Sequence, residues 1–379
     1  MRMFSLGVVG LMTIFAMAGI VDIIFLRGKL GLGAEFKKGF ELIGPLCLAM
    51  AGIISLVPLV SQIAKSTFVP VYQALGLDPS MAVASFLAID MGGYQLAHAV
   101  GQDVQIADWA GIVYASMMGA TIIFTIPVGI AYVEKSRVGA FSKGIICGLS
   151  SIPFGALVGG LMMGINAADV IRNLLIPLAM SVVLMICLIR FPMGTLKGFK
   201  VLSVFISALS LIGLGLAIIR DLLLLPLAEM GGILSQDCIF LKLIAPSSEG
   251  ITVAGSIGLV LSGTFPFVFC LKKILAGQIK RLSKRIGFSD AGLMGVLLSM
   301  ANNMALFASF DKMNDKELTV NMAFTVSAAF VIGDHLAFAA ANAPDTIAPM
   351  IAAKLISGIS AALLAYILCG NSNKNHLQA

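Results

Sequence analysis

The chain has 379 residues, of which 59% are hydrophobic and only 12% charged, with a formal net charge of +6. No soluble fold has an interior for that much apolar surface, so the composition excludes a soluble enzyme and indicates an all-α polytopic membrane protein. The positive charge sits in short loops, where it reports orientation and not nucleic-acid binding.

Apolar stretches lie near 4–26, 40–63, 80–100, 110–133, 145–165, 172–190, 201–228, 249–271, 290–310, 318–342 and 345–369. Each approaches the length needed to cross about 30 Å of hydrocarbon, which predicts about 9–11 transmembrane segments. They form one membrane domain over 1–370, and 371–379 is a short polar tail. Met1 to Leu26 has no small-residue cleavage pattern and reads as the first span. Cys47, Cys147, Cys187, Cys238, Cys270 and Cys369 make no Cys-x-x-Cys, and His98, His335 and His376 have no metal-ligand spacing. Neither a disulfide framework nor a metal site is expected, and no cofactor.

Four loops are basic: Arg27 to Lys38, Lys135 to Lys143, Arg190 to Lys200, and Lys272 to Arg285. Asp103, Asp108, Asp169, Glu229 and Asp237 mark the opposite side. If every segment crosses, the first basic loop falls on the wrong face under the positive-inside tendency. Letting 80–100 enter and leave on one side repairs the count and puts the N-terminus outside. A full crossing with one exceptional loop is the other solution.

The same segment, 80–100, holds the most unusual chemistry. Asp90 is followed by Gly92 and Gly93, then by Tyr94 and Gln95. A carboxylate in hydrocarbon costs roughly 2.5–3.5 kcal/mol on insertion scales, so it faces a cavity or a partner. Paired glycines weaken the helix there and free backbone groups for a ligand. A tightly packed crossing with a satisfied acid would explain the same residues without function.

Two further polar islands lie in the second half. Asn302-Asn303 interrupts an apolar span, where the amides serve either a ligand or a neighbouring helix. Gly333-Asp334-His335 sits in the Ala-rich stretch 318–342, which is the second candidate for a broken element; an acid solvated at a helix end is the alternative there. Ala84-x-Phe86-x3-Asp90 echoes Ala328-x-Phe330-x3-Asp334, a weak sign of an internal repeat of the kind transporters build around a mid-membrane site. Glu249 is explained by a helix N-terminus. Trp109 reads as an interfacial anchor, and Asp22 as an interfacial acid.

Asp90, Asp334, Tyr94, Gln95, Asn302, Asn303 and His335 together offer negative charge, an aromatic face and neutral hydrogen-bonding groups. No membrane-embedded cluster of Lys or Arg offers itself to an anion. A small organic cation bearing a hydroxyl group fits this inventory.

At the level of motifs, Pro79-Ser80-Met81, Asp90-Met91-Gly92-Gly93, Ser116-Met117-Met118-Gly119, Ala301-Asn302-Asn303 and Gly333-Asp334-His335-Leu336 with Ala340-Ala341-Asn342 resemble the ethanolamine utilisation permease family. The likeness runs from about residue 40 to about 365. It implies a multi-pass protein of the bacterial inner membrane that brings ethanolamine in for catabolism and is not an enzyme. Its partners would then be ethanolamine and the lipid bilayer, with homo-oligomerisation left open. Ion-coupled transport of another small amine is the alternative. An intramembrane aspartyl protease would need Tyr-Asp and Gly-x-Gly-Asp; here Ile89 precedes Asp90, and Val331-Ile332 precedes Gly333-Asp334.

Overall fold

The computed structural model describes residues 2–230 and 238–375. Asp237 and His376 lie outside the described residues, as does the end of the tail.

Among the described residues, eight helical stretches are long and apolar enough to span a bilayer: Arg2–Ile24, Leu32–Ser66, Val104–Tyr132, Lys135–Met162, Ala167–Arg190, Pro192–Glu229, Ile239–Ser283 and Pro344–Cys369. They are not equivalent. Val104–Tyr132 is 89% buried, whereas Arg2–Ile24 is 17% buried, so the former is the axis of the bundle and the latter faces lipid. The remaining predicted segments, 80–100, 290–310 and 318–342, are the ones whose helices are broken.

Segment 80–100 is a hairpin. One arm is Ser80–Phe86; Leu87 and Ala88 are extended; Met91 leaves helical geometry, Gly92 takes φ 77°, and Tyr94–Val100 returns. The two ends meet at Asp78. Its carboxylate accepts hydrogen bonds from Ser80 N (2.9 Å), Gln102 N (3.0 Å) and Asp103 N (3.2 Å). A straight 20-residue helix would hold those ends about 30 Å apart. The segment therefore enters and leaves on one side.

Segment 290–310 is a second hairpin, where the sequence suggested a plain crossing. Asp290–Ala301 runs inward, Asn302 is extended (φ −158°, ψ 122°), and Asn303–Phe307 turns back. A methyl on Gly295 would touch Leu306, which places the return arm against the first. Asn302 breaks the helix because its side chain caps the return arm, accepting from Met304 N at 2.8 Å.

Each hairpin is followed by an interrupted span. Val104–Tyr132 opens at Ala115–Met117, and the stretch 315–342 opens between Asp315–Ala328 and Asp334–Asn342. Each tip rests on the following break at a glycine. A Cβ on Gly119 would overlap the Leu87 carbonyl, and one on Gly333 would overlap the Ala301 carbonyl. The same sequence spacing separates Gly119 from Gly333 as Leu87 from Ala301. The repeat is thus a hairpin plus an interrupted span. The Asp90/Asp334 echo pairs a hairpin tip with an interrupted span, which are different parts of that unit.

The eight long stretches and the interrupted stretch 315–342 make nine passes, within the 9–11 segments expected. Counting nine passes and two hairpins puts all four basic loops on one face, the cytoplasmic one by the positive-inside tendency. The first hairpin then enters from outside and the second from inside. Local contacts agree with that split. Arg137, in a basic loop, donates to Phe310 O (2.7 Å), Met313 O (2.6 Å) and Asp315 (2.8 Å) at the mouth of the second hairpin. Asn173, near the opposite loop, accepts from Asp78 N at 2.7 Å.

Two smaller expectations change. Trp109 is no interfacial anchor: it is fully buried and donates from Nε1 to Ala156 O at 2.9 Å. Asp22 is buried and accepts from Leu30 N (3.0 Å) and Gly33 N (2.9 Å), so it ties the first loop to its own helix.

Candidate functional site

The tip of the first hairpin and both interrupted spans converge on a cavity of about 50 Å³, lined by Ala88, Asp90, Met91, Ala120, Phe124, Phe330, Asp334 and His335. Breaking the helices puts these residues there. Asp90 sits where Ile89–Gly93 turns, and Asp334 begins the helix after the second break. No neighbouring side chain among the described residues donates a hydrogen bond to either carboxylate. Acids tied into structure look different here: Asp22, Asp78 and Glu317 all accept bonds from backbone N–H groups of other residues, whereas Asp90 has only that of its own residue.

The apolar wall is aromatic. Phe124 and Phe330 meet edge to face with ring centres 5.6 Å apart, and Phe330 lies 5.0 Å from the His335 ring. Phe330 has φ 58°, a left-handed conformation that costs a non-glycine residue on the order of 1–3 kcal/mol. It is held there by crossing bonds, Phe330 N to Ser299 O and Ile332 N to Met300 O, both 2.9 Å. The second hairpin thus fixes the ring that closes the cavity.

Asp90, Asp334 and His335 come together in this cavity. Tyr94 and Gln95 stand on the return arm of the first hairpin and do not line it. The Tyr94 ring packs 4.5 Å from His98 and 5.7 Å from Phe338, while Gln95 Oε1 is buried without a hydrogen-bond partner. Asn303 is fully buried beside the first interrupted span. It donates to Thr125 Oγ1 at 3.1 Å, and its Oδ1 has no partner. Asn302 instead lines a crevice of about 320 Å³ with Glu35, Lys38, Glu41, Phe269 and Lys272, on the face with the basic loops. Ala301 and Asn302 are among the residues that line that crevice, and Gly333 packs against Ala301. Gly92, Gly93 and Gly333 all fall at helix breaks.

The sequence reading missed Lys354. It is fully buried and donates to Ser116 O (2.6 Å), with His335 Nδ1 at 3.1 Å. Ser116 O is free to accept because the span is open at that point. The available signal was one lysine alone in the apolar stretch 345–369, which a search for basic clusters passes over. Among the described residues no group of His, Cys, Asp and Glu is arranged to hold a metal ion.

Comparison with known proteins places this architecture. The family model "Ethanolamine utilisation protein, EutH" matches residues 5–368. The chain belongs to the EutH family. It is 35% identical to the probable ethanolamine permease EutH of Listeria monocytogenes, over 97% of this chain and 95% of that protein. It is 35% identical to the probable ethanolamine permease EutH of Salmonella typhimurium, over 89% of this chain and 86% of that protein. It is 34% identical to the uncharacterised protein YxeR of Bacillus subtilis, over 95% of this chain and 93% of that protein. No solved structure matches it. Membership covers both hairpins and both interrupted spans, so the cavity is part of the matched EutH region.

Proposed function

We propose that this chain is a permease of the bacterial inner membrane that admits ethanolamine as its ammonium form for catabolism. The observation that carries this is the pair of carboxylates, Asp90 and Asp334, facing one small aromatic-walled cavity without hydrogen-bonding side chains of their own. Two ionised carboxylates in such a space repel each other, and one ammonium between them relieves that repulsion. Phe124 and Phe330 add faces suited to a cation. At about 50 Å³ the cavity exceeds the roughly 10–15 Å³ that admits a single water and is small enough to suit only a small ligand. Relatives named as probable ethanolamine permeases support the same substrate.

The hairpins supply a route. The inner crevice leads to the tip of the second hairpin, and the first hairpin covers the cavity from the other side. Asn302 stands on the inner route, Asn303 beside the cavity wall, and Tyr94 and Gln95 on the outer arm, each as a polar stepping point. Exchange of access between the faces requires the tips to part in turn from Gly119 and Gly333.

Uptake of radiolabelled ethanolamine into proteoliposomes tests the reading. An inside-negative potential of 100 mV is worth about 2.3 kcal/mol per charge, which permits roughly 50-fold accumulation of a monovalent cation. Saturable uptake up to that limit supports ethanolammonium entry driven by potential. Accumulation beyond it, lost when a proton or sodium gradient is collapsed, supports coupled transport at the same site. Protein shown to be folded that gives no flux of ethanolamine or its analogues contradicts the proposal.

A further inference from the structure

Lys354 is close enough to Asp90 for their charges to interact, yet it makes no hydrogen bond to either acid, and as an ammonium it would compete with a bound cation for Asp90. Its contacts give it another purpose. The Lys354 ammonium is held by the Ser116 carbonyl at 2.6 Å, an oxygen freed by the break in the first interrupted span. Its other partner is His335 Nδ1 at 3.1 Å, and His335 lines the cavity while being only 2% exposed. An ammonium can only donate, so it pairs with an Nδ1 that carries a lone pair. The ring proton of a neutral His335 then sits on Nε2. That Nε2 makes no hydrogen bond to protein among the described residues.

Resting on the transport reading above, we propose that Lys354 holds His335 as the Nε2–H tautomer and that this N–H recognises the hydroxyl group of the bound amino alcohol. Lys354 is a positioning residue; His335 is the specificity residue. The hydroxyl oxygen accepts from Nε2–H, while the ammonium lies between Asp90 and Asp334. An amine of the same shape lacking the hydroxyl leaves a buried N–H unpaired. A site built this way discriminates more strongly than one that merely tolerates an extra oxygen.

The test compares ethanolamine with ethylamine as competing substrates in proteoliposomes. The wild-type protein should prefer ethanolamine by at least about tenfold. His335→Gln places an amide N–H near the position of Nε2 and should keep that preference within about threefold. His335→Asn places it near Nδ1 and should bring the two substrates within about threefold of each other, with ethylamine still transported. Lys354→Met should lose the preference as His335→Asn does. Variants that all transport with the wild-type preference would overturn the proposal.

A nitrogen-15 histidine spectrum of the purified protein in lipid nanodiscs gives a readout independent of transport. The chain has only three histidines, so His335 is assigned from the spectrum of its Gln variant. The proposal requires Nε2-protonated neutral His335 in the wild-type protein and a changed tautomer in Lys354→Met. An Nδ1-protonated or doubly protonated ring in the wild type would overturn it, whatever the uptake results. If the wild type transports neither amine while the tautomer is as stated, the transport reading fails and hydroxyl recognition with it, but the Lys354–His335 pairing stands.

Discussion

Asp90, at the tip of a hairpin that enters from one face, and Asp334, at the break in a span that runs beside a hairpin entering from the other, line the same cavity. They are 244 positions apart by residue number (334 − 90) and belong to different parts of the repeated unit. The cavity therefore lies where the two hairpin-and-span units meet, the place where transporters built from inverted repeats put their sites.

The hairpins make a topological prediction. In a cysteine-free background, single cysteines at Gln73 and Gln102 should react with a membrane-impermeant reagent from the outside of intact cells. Cysteines at Lys37 and Lys312 should react only in inverted vesicles. Labelling of positions 73 and 102 from opposite faces would show that 80–100 crosses the membrane.

Asp78 closes the first hairpin through three backbone N–H groups. Hydrogen bonds to a charged acceptor contribute about 1.5–3 kcal/mol. Asp78→Ala should lower thermal stability by at least that much and speed hydrogen exchange in 80–103 before the rest of the bundle. Unchanged exchange in that segment would mean the carboxylate does not hold the ends together.

The two tip-to-break contacts should behave alike. Gly119→Ala and Gly333→Ala each put a methyl into a carbonyl of the resting tip, so each should cut uptake at least about tenfold. Gly215→Ala, where nothing lies within 4 Å, should leave uptake unchanged. If Gly119→Ala and Gly333→Ala transport normally, the tips are not packed as described.

Phe330 gives a test of strain. Both Phe330→Gly and Phe330→Ala remove the ring and should impair uptake. Because φ is 58°, the Gly variant should be the more stable of the two by roughly 1 kcal/mol, the reverse of the usual helical order. Comparison of their melting temperatures decides it. A more stable Ala variant would place Phe330 in an unstrained conformation.

Much of this architecture was legible in the sequence for physical reasons. Uninterrupted apolar runs mark spans, because hydrocarbon leaves the backbone no alternative to a helix. The loop charges left two solutions, a hairpin at 80–100 or a full crossing with one exceptional loop, and the backbone bonds to Asp78 select the hairpin. The second hairpin escaped, because Asn302 breaks its helix by capping the return arm, and an amide pair in an apolar run has an equally good structural reading. The repeat escaped as well: the echo around the two acids pairs a hairpin tip with an interrupted span, whereas the true correspondence, Leu87 with Ala301 and Gly119 with Gly333, is one of backbone breaks and not of side chains. Lys354 escaped for another reason: one lysine in an apolar run declares a buried partner but not which one, and Ser116 O and His335 are 238 and 19 residues away.

The most direct test of the account is equilibrium binding of radiolabelled ethanolamine to the purified protein, beside Asp90→Asn, Asp334→Asn and the double variant, with folding checked by thermal melting. The account predicts saturable binding in the wild type, weakened at least about tenfold by either substitution and abolished by both. Wild-type affinity in a folded double variant would contradict it and place the substrate elsewhere.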